Sequence, residues 1–112
     1  LEQRAAAGDE RAALALELFC FRAAKAILGL TASLERVEAL VFTGGIGENS
    51  PWVRRRILEQ TALLGIRLDE AANHRNGSDT NGRISRPGSP VCLVVPTNEE
   101  LAIAREVWRL LR

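Results

Sequence analysis

The chain has 112 residues, 46% apolar and 26% charged, with a formal net charge of +1. This suits one compact soluble domain or a piece of a larger one. The near-neutral balance gives no strong field, so neither nucleic acid nor a membrane is an expected partner.

In chain order, Asp9 can cap a helix, with Glu10 in its first turn. Apolar side chains then recur at helical spacing to about Leu28. Leu14, Leu18 and Phe21 form one row; Leu16, Phe19, Ala23, Ile27 and Leu30 form another. The polar face is narrow, so the helix is either mostly buried or serves an interface. Charges at Glu17, Arg22 and Lys25 make it a poor bilayer span. No basic region followed by an apolar core opens the chain, so no signal peptide is expected. A start at Leu1 rather than Met reads as a truncated or processed chain.

Val37 to Thr43 is a short apolar run rich in β-formers and reads as a buried strand. The loop "GGIGEN" follows. Ser50 is then a good N-cap, and Pro51 suits the first helical position. Val53, Ile57 and Leu64 lie on one face of that helix, and Gly65 is expected to end it. Arg54, Arg55 and Arg56 point in different directions and read as solvated; Arg54 or Arg55 can also reach a neighbour or a ligand. Trp52 either packs against protein or stacks on an adenine.

Ile66 to Asp69 suits a short strand, and "NHRNGSDTNG", Asn73 to Gly82, an exposed loop in which the lone His74 is solvated. "RISRPGSP" suits an edge strand and a turn. Val91 to Val95 reads as a second central strand. Cys20 and Cys92, both in apolar runs, read as buried thiols of a reducing compartment. Thr97 and Glu100 form a capping box for a last helix from Asn98 to about Leu111, with Leu101, Ala104, Trp108 and Leu111 as its inward stripe.

Two apolar strands joined through a helix imply a parallel pair with a right-handed crossover. Both following loops then leave the carboxyl edge, where open α/β sheets bind ligands and helix N-termini meet anions. Gly44, Gly45 and Gly47 let the backbone approach a ligand closely, yet such loops are also plain turns. Glu48 is awkward beside a phosphate; it suits a ribose hydroxyl, or a charge offset by a basic group or metal. The spacing is neither the Rossmann fingerprint nor the P-loop. Glu100 is explained by capping. Glu99 is either a first-turn acid or a lone carboxylate of the kind that holds Mg²⁺ beside phosphates.

"VFTGGIGENS" followed by "VR", then "LGI" and "LD", then "VVPTNEELAIAR" closely resembles the C-terminal part of acetate kinases. The similarity begins at "GDERAALALELFCFRAAKAI" and keeps order and spacing. The resemblance implies an α/β fold, the C-terminal part of an actin-like, ribonuclease-H-like ATPase domain. Residues 1–112 would be one nucleotide-binding portion of a longer, two-domain cytoplasmic kinase. It implies reversible transfer of the ATP γ-phosphoryl group to acetate, giving acetyl phosphate and ADP, with Mg²⁺ as cofactor. It implies Gly45, Ile46, Gly47, Glu48 and Asn49 as the nucleotide-binding loop, Glu99 as the magnesium-site glutamate, and a homodimer joined largely through this portion. The family's other phosphate-binding segments, most of its acyl pocket and its transfer-stabilising arginine, aspartate and histidine lie outside these residues. The piece alone is therefore expected to be inactive. A propionate kinase of the same fold, or a non-catalytic dimerisation module from a truncated gene, are the competing readings.

Overall fold

The computed structural model describes residues 2–97 and 99–111, and no side chains of 98–103. Its helices are α1 (Glu2–Ala6), α2 (Glu10–Thr31), α3 (Gly44–Asn49), α4 (Pro51–Gln60), α5 (Glu70–His74) and α6 (Glu99–Leu111). Its strands are β1 (Ala39–Phe42) and β2 (Val91–Val94), and a 3₁₀ turn spans Ala62–Leu64.

α2 forms where expected. The Asp9 carboxylate accepts from the N–H groups of Arg11 and Ala12 at 3.0 and 3.1 Å, which satisfies two of the free donors at the helix start. The buried row is Ala12, Leu16, Cys20 and Ala24, four residues apart. These mostly small side chains let α4 lie close, and Arg56 Nε of α4 donates to both Glu17 carboxylate oxygens, at 3.1 and 2.9 Å. Leu14, Leu18 and Phe21, the first apolar row, are 69%, 45% and 53% exposed instead.

β1 and β2 are parallel, with Ala39 opposite Val91 and Phe42 opposite Val94. The expected extra strands shrink to isolated antiparallel bridges, Arg83 with Leu93 and Leu68 with Ser85. The stretch from Arg83 to Ser85 is bounded by Gly82 at φ +88° and by Pro87 and Pro90, which carry no N–H, so no longer ladder can form. Leu16, Cys20, Phe42, Val53, Ile57, Ala72, Ile84 and Cys92 belong to the core that these elements close over, with Trp52 partly buried against it. Each fully buried aliphatic or aromatic side chain there contributes about 1.5–3 kcal/mol.

Further expectations need correction. The glycine "loop" is a short helix, α3. α4 ends at Gln60, and Gly65, at φ +72°, instead closes the 3₁₀ turn. The 73–82 segment is not uniformly exposed: Asn73 is only 2% exposed and lies in α5, which Asp69 caps by accepting from Ala72 N at 3.1 Å. The stripe of α6 does not face inward: Trp108 and Leu111 are 66% and 79% exposed, Ala104 is exposed, and the Leu101 side chain lies outside the described residues.

Candidate functional site

Because Phe42 and Val94 are partners in a parallel register, the chain leaves β1 and β2 at the same edge. Backbone and side chain then join the two exits. Val95 N donates to Phe42 O at 2.9 Å, and the Thr43 hydroxyl donates to Val95 O at 2.8 Å. The expectation that both connections share one edge therefore holds.

Thr43 is extended, and Gly44 at φ +78° makes the reversal into α3, a conformation costly to any side chain. α3 closes on itself through Ser50 N to Ile46 O at 3.0 Å and Asn49 Nδ2 to Gly45 O at 3.0 Å. The chain then turns into α4. As expected, Ser50 Oγ accepts from Val53 N at 3.2 Å, and Pro51 takes the first helical position. The Ser50 hydroxyl also donates to the Glu2 carboxylate, which ties α1 to this corner.

A cleft of about 460 Å³ opens beside α3. Gly45, Ile46, Asn49 and Ser50 line it from the turn, Val53 from α4, and Leu16 and Phe19 from α2. Its wall is mainly apolar, with Asn49, Ser50, Glu2 and Gln3 as polar points. Such a mixture suits a flat heteroaromatic group with a few polar edges. The other two residues of the expected loop look elsewhere. Gly47 packs on Phe42, where a Cβ would lie 3.4 Å from the Phe42 carbonyl carbon. Glu48 accepts from both Thr97 N and Thr97 Oγ1 at 3.4 Å.

Glu99 begins α6, two residues beyond Thr97, but its side chain lies outside the described residues, as does that of Glu100. Among the described residues, no three His, Cys, Asp or Glu side chains gather as a metal-ligand set. No helix among them is long and apolar enough to cross a membrane. Cys20 and Cys92 are wholly buried free thiols, and His74 is exposed.

Arg54 departs from the solvated reading of the three arginines and instead reaches its neighbours. It is 0% exposed, not solvated. Its Nε donates to Asn73 Oδ1 at 2.8 Å and its Nη1 to Gly47 O at 2.8 Å. Its Nη2 donates to Asn73 O at 2.7 Å and Asn76 Oδ1 at 2.6 Å. Burial lowers its pKa, with the nearby Cys92 opposing the shift; an arginine stays charged even so. A signal was available. Arg54 is three and four residues before Ile57 and Leu58, which places it on their inward stripe.

A model of the acetokinase family matches residues 1–105. The chain belongs to the acetokinase family. It is 48% identical over 110 residues to an acetate kinase of Dichelobacter nodosus, covering 98% of this chain and 28% of that protein. Its structure is similar to a propionate kinase from Francisella tularensis subsp. tularensis, with TM-score 0.82 and 40% identity over 94% of this chain and 26% of the other. It is also similar to Porphyromonas gingivalis acetate kinase, with TM-score 0.79 and 34% identity over 99% of this chain and 28% of the other. This acetokinase chain thus has the α/β, parallel-stranded architecture of part of an actin-like ATPase fold. It spans about 28% of the length of the curated relatives it matches.

Proposed function

We propose that this chain is the C-terminal nucleotide-binding portion of a longer, two-domain acetate kinase. In the reaction, an acetate carboxylate oxygen attacks the γ-phosphorus of ATP. The bond from that phosphorus to the β–γ bridging oxygen breaks, giving acetyl phosphate and ADP. The observation that carries the reading is the cleft beside α3, the helix that follows the exit from β1.

The residues assign themselves roles within that reading. Gly45, having no Cβ, leaves the cleft floor open, and Ile46 with Val53 and Phe19 offers an apolar wall to the adenine. Asn49 supplies the polar edge. Gly47 and Glu48 belong to the binding loop as supports, Gly47 by packing on Phe42 and Glu48 through Thr97. Glu99 is the carboxylate for Mg²⁺. A single carboxylate is a donor of the kind that would hold Mg²⁺, a hard cation that takes oxygen ligands and keeps several waters. When bound, Mg²⁺ offsets charge on the phosphates. The exposed apolar row of α2 supports a homodimer through this portion, and buried free thiols support the cytoplasm.

Propionate is the second acid to consider, because one similar structure, at 40% identity, is a propionate kinase. The test is acyl phosphate formation from Mg-ATP by the polypeptide carrying these residues together with the rest of the family's length. Acetate and propionate are offered separately, beside a Glu99→Ala variant. Activity that collapses in the variant supports kinase and metal roles together, and the preferred acid names the substrate. No activity with either acid sinks the catalytic reading. The 112-residue chain alone should form no acyl phosphate.

A further inference from the structure

Gly47 has a carbonyl that its own helix cannot satisfy. The helical donor four residues on is Pro51, which has no N–H. Arg54 Nη1 fills that place at 2.8 Å. The same guanidinium reaches Asn73 and Asn76, and Asn73 Nδ2 in turn donates to Pro51 O at 3.0 Å. One wholly buried cation thus joins α3 and α4 to α5 and to Asn76 beyond it.

The acceptors are all neutral: two backbone carbonyls and two side-chain amides. Burying a charge without a carboxylate is costly, and an apolar side chain would fill the same volume at less cost. The arrangement makes sense for geometry rather than for stability. A planar fork with fixed donor directions sets the position of a carbonyl as a flexible lysine cannot.

We propose that Arg54 is a positioning residue: by holding the Gly47 carbonyl from behind, it fixes the pitch of α3, so that Gly45, Ile46 and Asn49 face the cleft. The ligand side of this inference rests on the nucleotide reading above. The hold on the turn does not.

The experiment compares Arg54→Lys with Arg56→Ala, a control on the same helix whose partner is Glu17 rather than the turn. Both are made in the longer polypeptide. Two readouts are taken: backbone hydrogen exchange of the peptide 44–50 against that of α2, and the Kd for ADP. In Arg54→Lys, exchange should rise selectively across 44–50, and the ADP Kd should rise roughly ten- to a hundredfold, the loss typical of a hydrogen bond to a charged group. Arg56→Ala should leave both unchanged within about twofold. Unchanged exchange across 44–50 in Arg54→Lys, or an equal rise throughout α2, overturns the proposal. Should Arg54→Lys not fold, Asn73→Ser takes its place. It removes one anchor of the guanidinium and should loosen 44–50 without loosening α2; a uniform rise counts against the idea. Failure of the unaltered protein to bind ADP would sink the nucleotide reading alone, because the exchange comparison still judges Arg54.

Discussion

Glu48 accepts from both the backbone N–H and the hydroxyl of Thr97, each at 3.4 Å. The one acid of the glycine turn therefore reaches across to the other β–α connection. It forms a contact between the two connections. Both contacts are long and exposed, so Glu48→Ala should cost little stability, about 0–1 kcal/mol. The Thr97 amide should nevertheless exchange faster in the variant. Unchanged Thr97 exchange would mean that the contact does not form in solution.

Two adjacent glycines should behave in opposite ways. Gly44 sits at φ +78°, so Gly44→Ala should destabilise by about 1–2 kcal/mol. Gly45 is helical, and a Cβ there meets nothing within 4 Å. Gly45→Ala should be neutral or stabilising by up to about 1 kcal/mol. Yet Gly45 lines the cleft, so the same methyl group should weaken ADP binding. Urea unfolding and ADP titration of the two variants separate turn geometry from ligand approach. A Gly45→Ala protein with undiminished ADP affinity would remove Gly45 from the site.

Alkaline pH should weaken the fold. Burial pushes the Cys92 thiol from 9.0 up to about 12, against the opposing effect of Arg54. Burial first, and Glu17 second, also raise Cys20. Below about pH 9 the thiols are protonated in both states, so this contribution is fully present. Above it the unfolded chain gives up thiol protons that the folded chain keeps, and stability falls as pH rises toward the folded value. Urea midpoints at about pH 8 and pH 10 should show the decline, and Cys92→Ala should make it shallower. An identical slope in the variant would assign the decline to other groups.

The first apolar row of α2 should govern self-association. Leu14 and Phe21 are 69% and 53% exposed, with Leu18 between them at 45%. Leu18→Glu combined with Phe21→Glu should shift the protein toward monomer in sedimentation velocity, because two charges would have to be desolvated at the contact. A dimer that survives both substitutions lies on another surface.

Local signals carried much of this structure. Asp9, Ser50 and Pro51 start their helices where the residue types say they should, because capping involves only neighbours in sequence. Two apolar runs separated by a helix were enough to call for a parallel pair, and the pair formed. The strand-end glycines and the residues that leave β2 were legible as one edge for the same reason. The fate of Arg54 was half legible. Helical periodicity turned it inward, but its partners Asn73 and Asn76 lie 19 and 22 residues away in a polar stretch that resembles surface loop. Only the folded chain brings such groups together, because a buried cation must find acceptors wherever the backbone happens to pass. The exposed faces of α2 and α6 show the same division. Sequence determines that a helix has an apolar stripe; tertiary packing decides whether this chain covers it, since a hydrophobic face is satisfied equally by its own core or by another molecule.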